Sequence, residues 1–494
     1  MLRLITLVSV GLTLISAQFS YAAGSAASSI IKNSASTKAV NTPKPAMQAG
    51  EDIVGQDNKP APEKAWTIMV FMNGKNNVAQ AAMANVNEME AVGTTANVNV
   101  VAEGGFLKDG KYSVARYVIG KDDNFEQIAS PIVQTFDRMD MGDYRNAVTF
   151  VQWAKAKFPA KRYMLVIWNH GTGFFDPKKD NPAAQTLARG QQKGISFDDE
   201  TGNYISTPDL RKLLAAVGGV DVLAFNACLM SALEVYSEVG GRAKAVVASE
   251  DVMSAVGFDY ESLISTLDQK PSMSANDAGM LVAAGFIERI KAFMSFGIRG
   301  GHITVANPSK MKALNTAIKA WTVNVMAAKD DAAVIKAIQT ALLSTPRASS
   351  TISDDKTSSL TSFMGDMGIF VATVTQTLTP TNGSKATPQQ DAIVSSGKAL
   401  LDIMFKDVVL GYAAAGKDDH GVSYDDSTGV SVYLPPRLDK IDQATLEEKA
   451  FADQYSNLSF AKDSGWGDFV KWLYTVRPAI SMPKPAQETQ APAN

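Results

Sequence analysis

The sequence predicts an α/β protein built on a mainly parallel sheet with helices over both faces. Three observations carry that expectation. Short, wholly apolar runs such as Trp66–Met72, Tyr163–Trp168 and Val220–Phe225 read as strands buried on both sides. Amphipathic stretches with helical spacing separate them, the alternation that builds parallel sheets. Two of the strands run directly into polar turns, one carrying His170 and the other Cys228. In sheets of this kind, sites form at the carboxyl ends of the strands.

Taken in order, strand Trp66–Met72 ends at Asn73-Gly74, and Val78–Val92 follows as a helix with Met83, Val86 and Met89 on one side. Val98–Ala102 is the next strand, and Tyr112–Ile119 with Pro131–Thr135 suggests a small antiparallel excursion. Asp143–Lys157 reads as a helix, Tyr163–Trp168 as a strand, Pro208–Val217 as a helix and Val220–Phe225 as a strand. Leu229–Val239 is expected to be helical and Ala243–Ala248 extended. Beyond Tyr260 the pattern turns helical, over Ser274–Phe296, Ser309–Ala328, Ala332–Leu343 and Gln389–Phe405. Short strands at His302–Ala306 and Gly429–Leu434 interrupt it, and Trp466–Tyr474 closes the fold.

With 46% hydrophobic and 20% charged residues in 494, the chain has enough apolar surface for a large core. A net charge of −3 gives no basic footprint, which argues against a nucleic-acid partner. A single cysteine excludes an internal disulfide framework. Residues 1–23 read as a secretory signal: Arg3, an apolar run from Leu4 to Ile15, and Ser20-Tyr21-Ala22-Ala23 for cleavage after Ala22 or Ala23. The apolar run is too short for a stable membrane span, so a secreted or periplasmic protein is expected. Residues 24–63 have the composition of a flexible linker or pro-segment, and 478–494 that of a disordered tail. The expected domain is 64–477, with a core at about 64–262 and a more helical part at about 263–477.

Cys228 and His170 suit nucleophilic catalysis, a thiol needing a base to take its proton. Cys228 is expected at the mouth of the Leu229–Val239 helix, whose N-terminal dipole would favour the thiolate. On that footing an iodoacetamide-type reagent should label it fast at neutral pH. Gly171 has no side chain to crowd its amide, which with the Cys228 amide could bind an oxyanion.

Trp168-Asn-His-Gly-Thr-Gly-Phe174 and Asn226-Ala-Cys-Leu-Met230 resemble the histidine and cysteine motifs of clostripain-family cysteine peptidases, relatives of caspases, legumain and gingipains. The likeness runs from about Lys64 to Tyr474 and takes in Trp66–Met89, Gly194–Leu214 and Ala248-Ser-Glu-Asp251. It implies a caspase-like αβα sandwich and a catalytic dyad of His170 and Cys228. It also implies peptide or protein substrates cut after Arg or Lys, no cofactor for the chemistry, and calcium in some members. Many members carry Asp two residues before the cysteine, where this chain has Asn226. That departure weakens the expected basic preference, with Glu250 or Asp251 at the next strand end as substitute charges. Related peptidases are often activated by a cut between the two catalytic residues. Residues 175–193 offer Lys178, Lys179, Arg189 and Lys193 for self-cleavage, Arg189 foremost.

Asp198-Asp199-Glu200 with Asn203 has oxygen ligands suited to calcium. Its spacing is not that of an EF-hand loop, so it reads first as a solvated acidic turn. Asp354-Asp355 and Asp418-Asp419 read as polar loops, and neither His302 nor His420 has companions at zinc-ligand spacing. Two other functions fit the same residues: an inactive relative that binds peptides or a surface, and a thiol transpeptidase or amidase acting on cell-wall peptides.

Overall fold

A computed structural model describes residues 60–108, 111–174, 194–347, 364–381, 385–418, 421–435, 437–438, 455–477 and 479–480. The expected signal at 1–23, Lys178, Lys179, Arg189, Lys193, Asp354-Asp355, Asp419 and His420 lie outside the described residues.

Five parallel strands form the centre: β1 (Lys64–Asn73), β2 (Val98–Lys108), β5 (Ala160–Trp168), β8 (Val220–Asn226) and β9 (Ala243–Ala248). Antiparallel strands extend the sheet on both sides. β3 (Lys111–Val118) and β4 (Ile132–Phe136) lie beyond β2, and β10 (Gly300–Ala306) and β12 (Val409–Gly416) beyond β9. The order is β12-β10-β9-β8-β5-β1-β2-β3-β4. Three small pairs stand apart, β6 (Ile195–Asp198) with β7 (Asn203–Ile205), β11 (Met364–Asp366) with β13 (Ser431–Tyr433), and β14 (Arg437–Leu438) with β15 (Ala479–Ile480).

Alternation along each central strand splits the apolar residues between two cores. Met69 and Phe71 of β1, Leu165 and Ile167 of β5, and Leu223 and Phe225 of β8 face one side. There they meet α2 (Tyr144–Lys157), α3 (Thr207–Ala216), α4 (Leu233–Val239) and a later layer. That layer comprises α7 (Met311–Ala327), α8 (Ala332–Ser344), α9 (Met367–Leu378), α10 (Pro388–Ile403), α11 (Ser459–Ser464) and α12 (Trp466–Val476). Ile68, Val70, Met164, Val166, Val222 and Ala224 face the other side, against α1 (Ala79–Glu90), α5 (Tyr260–Gln269) and α6 (Ala275–Phe293). The result is an αβα sandwich. Asp143, Ser206, Asp259 and Ser274 cap α2, α3, α5 and α6, each accepting from a backbone N–H of the first turn.

Four of the departures from the expectations have a plain physical reason. α4 begins at Leu233 rather than Leu229, because residues 228–231 are spent on a tight turn. There Leu229 takes a φ of +63°, Leu229 N donates to Asp251 O at 3.2 Å, and Ser231 N donates to Ser249 O at 2.8 Å. β12 lacks an apolar run, being Leu-Gly-Tyr-Ala-Ala-Ala-Gly after Val409, and gains its place by pairing with β10. α9 is rich in β-branched residues, and packing overrides its weak helix propensity. The β6–β7 hairpin is too short to leave a periodic signal.

That hairpin folds onto the carboxyl end of β1 through buried polar contacts. Lys75, 1% exposed, donates from Nζ to Asp198 Oδ2 at 2.8 Å and to Met139 O at 2.9 Å, and pairs with Glu200 at 2.5 Å. Asp199 N donates to Lys75 O at 3.0 Å, and Asn76 Nδ2 to Phe197 O at 2.9 Å. Removing one partner of a buried ion pair leaves the other charge stranded. Asp198 would still accept from the amides of Met141, Glu200 and Thr201, which places the loss at the low end. Lys75→Met is expected to lower unfolding free energy by about 3 kcal/mol in urea titration. A loss under about 1 kcal/mol would show that the pair does not clamp the hairpin.

Candidate active site

The register of the central strands assembles the site. Met72 of β1 pairs with Trp168 of β5, which pairs with Asn226 of β8. His170 and Cys228 therefore both stand two residues past one row of the sheet, on adjacent strands. The ladder continues one step further, with Asn169 N donating to Asn226 O at 3.3 Å.

Each side chain is fixed by its neighbours. Asn169 Oδ1 accepts from His170 N at 2.6 Å and from Phe197 N at 3.0 Å, and Asn169 Nδ2 donates to Asn73 O. The His170 ring points from β5 toward the β1–α1 turn, where Nε2 lies 2.7 Å from Asn77 Oδ1. Gly171 bridges to Ile195 and lies against the cysteine turn. A Cβ at Gly171 would sit 2.3 Å from Cys228 O and 3.0 Å from Ala227 Cβ, so any side chain there would force the two turns apart.

The partly buried Cys228 thiol accepts from Met253 N at 3.2 Å, and the amides of Gly171 and of Cys228 itself are also directed at the sulfur. Burial pushes the thiol up to about 11, with the nearby Asp251 charge adding to the shift and the three amides opposing it. Burial also holds His170 below its usual 6.5, against the opposing charge of Asp199. Both groups are thus neutral near pH 7. With α4 starting at Leu233, no helix dipole reaches the sulfur, and the expected fast labelling at neutral pH does not follow.

The remaining predicted residues fall in two places. Asn226, 7% exposed, shares the α1/α5 side of the sheet with Cys228, and its Nδ2 donates to the Tyr260 hydroxyl at 3.2 Å. Glu250 and Asp251 line a cavity of about 30 Å³ with His302, Arg347, Asp366 and Tyr424. Cys228, His170 and Asn226 do not border that cavity. Burial and the neighbouring Asp366 push Glu250 well above the usual carboxylate range, so it is no fixed charge for a basic substrate. Asp251 accepts from Val252 N at 2.7 Å and from the Tyr424 hydroxyl at 3.3 Å.

Asp198 is fully buried and paired with Lys75, which corrects the reading of a solvated turn at that residue, while Asp199 and Glu200 are exposed as expected. Donors occupy its two oxygens, so the cluster does not fit a calcium site, and among the described residues no group of three or more His, Cys, Asp or Glu could hold a metal. Asn77, Lys75, Asn169 and Met253 were missed from sequence. The run Asn73-Gly-Lys-Asn-Asn77 past a buried strand was the available signal for the first two.

A model of the clostripain family matches residues 70–472. The chain belongs to the clostripain family. Clostripain of Hathewaya histolytica is 24% identical over 236 residues, covering 43% of this chain and 44% of clostripain, so the match spans less than half of that relative. A secreted cysteine protease from Bacteroides thetaiotaomicron, solved with an irreversible peptide inhibitor, superposes with a TM-score of 0.56 at 17% identity, over 82% of this chain and 99% of that one. An inactive zymogen protease from Parabacteroides distasonis gives 0.52 at 15%, over 82% and 99%. At these identities the likenesses establish the caspase-like fold of the clostripain family.

The Cys228 thiol, pushed up to about 11, leaves about one thiolate in ten thousand at pH 7. Iodoacetamide labelling of Cys228 is therefore expected to be slow at pH 7 and to accelerate about tenfold per pH unit toward pH 10. A fast plateau between pH 6 and 8 would instead show a resting thiolate–imidazolium pair.

Proposed function

We propose that this protein is an exported cysteine endopeptidase in which Cys228 is the nucleophile and His170 the base. The observation that carries this is their equal offset past the paired Trp168 and Asn226 on neighbouring strands. Because both groups rest neutral, His170 takes the Sγ proton as the sulfur attacks. The Sγ–C bond forms, and the carbonyl π pair moves to oxygen beside the amides of Gly171 and Cys228. The intermediate collapses to a thioester and expels the amine, which takes its proton from the imidazolium. Water then attacks the thioester, His170 accepts its proton and returns one to the departing sulfur.

The resting chain is a precursor, activated by a cut within 175–193, foremost after Arg189. Both ends of that connection are tied beside the oxyanion amide: Thr172 N donates to Gly194 O at 3.0 Å, and Gly194 N to Thr172 Oγ1 at 2.5 Å. Cutting frees the ends without breaking the sheet. Purified wild-type protein is expected to digest peptides and to show the cut by mass spectrometry, while Cys228→Ala and His170→Ala stay folded, uncut and inactive. The same spectra should give a mature N-terminus at Ala23 or Gly24. Appreciable peptidase activity in Cys228→Ala would remove the assignment, and active but uncut wild type would remove the maturation step.

Preference for Arg or Lys before the scissile bond is retained but weak. Asn226 lies two residues before the nucleophile on the same side of the sheet and offers only an amide. A carboxylate there would add about 1–1.5 kcal/mol for a basic side chain, near tenfold in rate. Asn226→Asp is expected to raise the kcat/KM ratio for Arg over Gln substrates about tenfold. No gain would show that Asn226 serves Tyr260 alone.

A further inference from the structure

Three adjacent strands, in the order β8, β5, β1, bring polar residues to one end of the sheet. Cys228 follows β8, His170 follows β5, and Asn77 lies four residues past the end of β1. We propose that Asn77 is the positioning residue of the site, a third member that fixes the tautomer and orientation of the His170 ring. The inference rests on the Cys228–His170 reading above and names the residue that makes His170 competent.

Asn77 Oδ1 can only accept, so the 2.7 Å contact makes Nε2 the protonated nitrogen and leaves the lone pair on Nδ1. A neutral imidazole free to choose its tautomer spends part of its time with the proton on the wrong nitrogen. Holding Nε2–H also stabilises the imidazolium once Nδ1 has taken the thiol proton. An amide accomplishes this without a second negative charge beside Asp199, the acidic group that already acts on the ring.

Asn77 itself is exposed, so its precision comes from the turn beneath it. Asn76 is 8% exposed, donates from Nδ2 to Phe197 O at 2.9 Å and accepts from Val78 N at 3.1 Å. Lys75 is held by Asp198 and Met139 on one side and by Asn73 Oδ1, which accepts from Lys75 N at 3.1 Å, on the other. The turn is thus bolted to β6, the strand that leaves the 175–193 connection. One rigid unit sets both the Asn77 amide and, through Asn169, the backbone at His170.

The test uses a feature of this chain: three histidines in all. Full-length protein labelled with ¹⁵N-histidine gives three imidazoles by multiple-bond NMR, and the His170 signals are those lost in His170→Ala. Wild type is expected to show His170 protonated at Nε2, and Asn77→Ala to show a mixture of tautomers. Kinetics on the processed enzyme should show kcat lowered about tenfold in Asn77→Ala, the loss of one neutral hydrogen bond, with KM unchanged. In Asn77→Asp the new charge should restore the tautomer and move the acid limb of kcat/KM upward by about 1–2 pH units. A merely structural role would leave both tautomer and pH limb in place. A wild-type His170 protonated at Nδ1, or one unaltered by Asn77→Ala, overturns the proposal. Should His170→Ala retain turnover while the tautomer shift holds, the base assignment fails and the Asn77 contact stands.

Discussion

Everything at the site depends on the pairing of β5 with β8. Trp168 lies opposite Asn226, and the two turns that follow are level because of it. That register is held from both faces of the sheet. Leu165, Ile167, Leu223 and Phe225 interlock on one side, and Met164, Val166, Val222 and Ala224 on the other. A slip of one residue would exchange the faces of an entire strand and is forbidden by the size of both cores. The level placement of His170 and Cys228 is thus a by-product of packing rather than of any contact between them.

The same burial that fixes the geometry suppresses the chemistry. The carboxyl ends of β1, β5 and β8 are sealed by Asn73, Lys75, Asn169, Ser196 and Asp198, all buried and mutually bonded. Two non-glycine residues with positive φ, Ser196 at +61° and Leu229 at +63°, sit in this region, backbone strain that a stiff surround can hold. Dry surroundings raise the thiol and lower the imidazole, so neither ionises unaided. The bonds between Thr172 and Gly194 lie next to Gly171, whose amide is directed at the Cys228 sulfur.

Much of this was legible in the sequence. The central strands were read from their apolar runs, and the pair His170 and Cys228 from their places past two of them. What could not be read were contacts made by residues with no periodic signature. The β6–β7 hairpin is held by Lys75 and Asp198, which are 123 positions apart, and nothing local predicts that a lysine will be buried. Likewise the start of α4 was misplaced because Leu229–Ser231 has helical composition but is pulled into a turn by Asp251 and Ser249. Cys228 therefore does not stand at the mouth of α4. Glu250 looked like a charged recognition residue, yet its position beside Asp366 under β13 makes it a buried acid.

The account stands on sulfur, base and two amides converging at adjacent strand ends. The most direct measurement is a crystal structure of the processed protein after reaction with an irreversible peptide ketone. The inhibitor carbon should be bonded to Cys228 Sγ. Its oxygen should lie 2.7–3.1 Å from the amide nitrogens of Gly171 and Cys228, the range for oxyanion donors. An adduct whose oxygen turns away from both amides, or a folded protein whose one thiol stays unmodified, would contradict it.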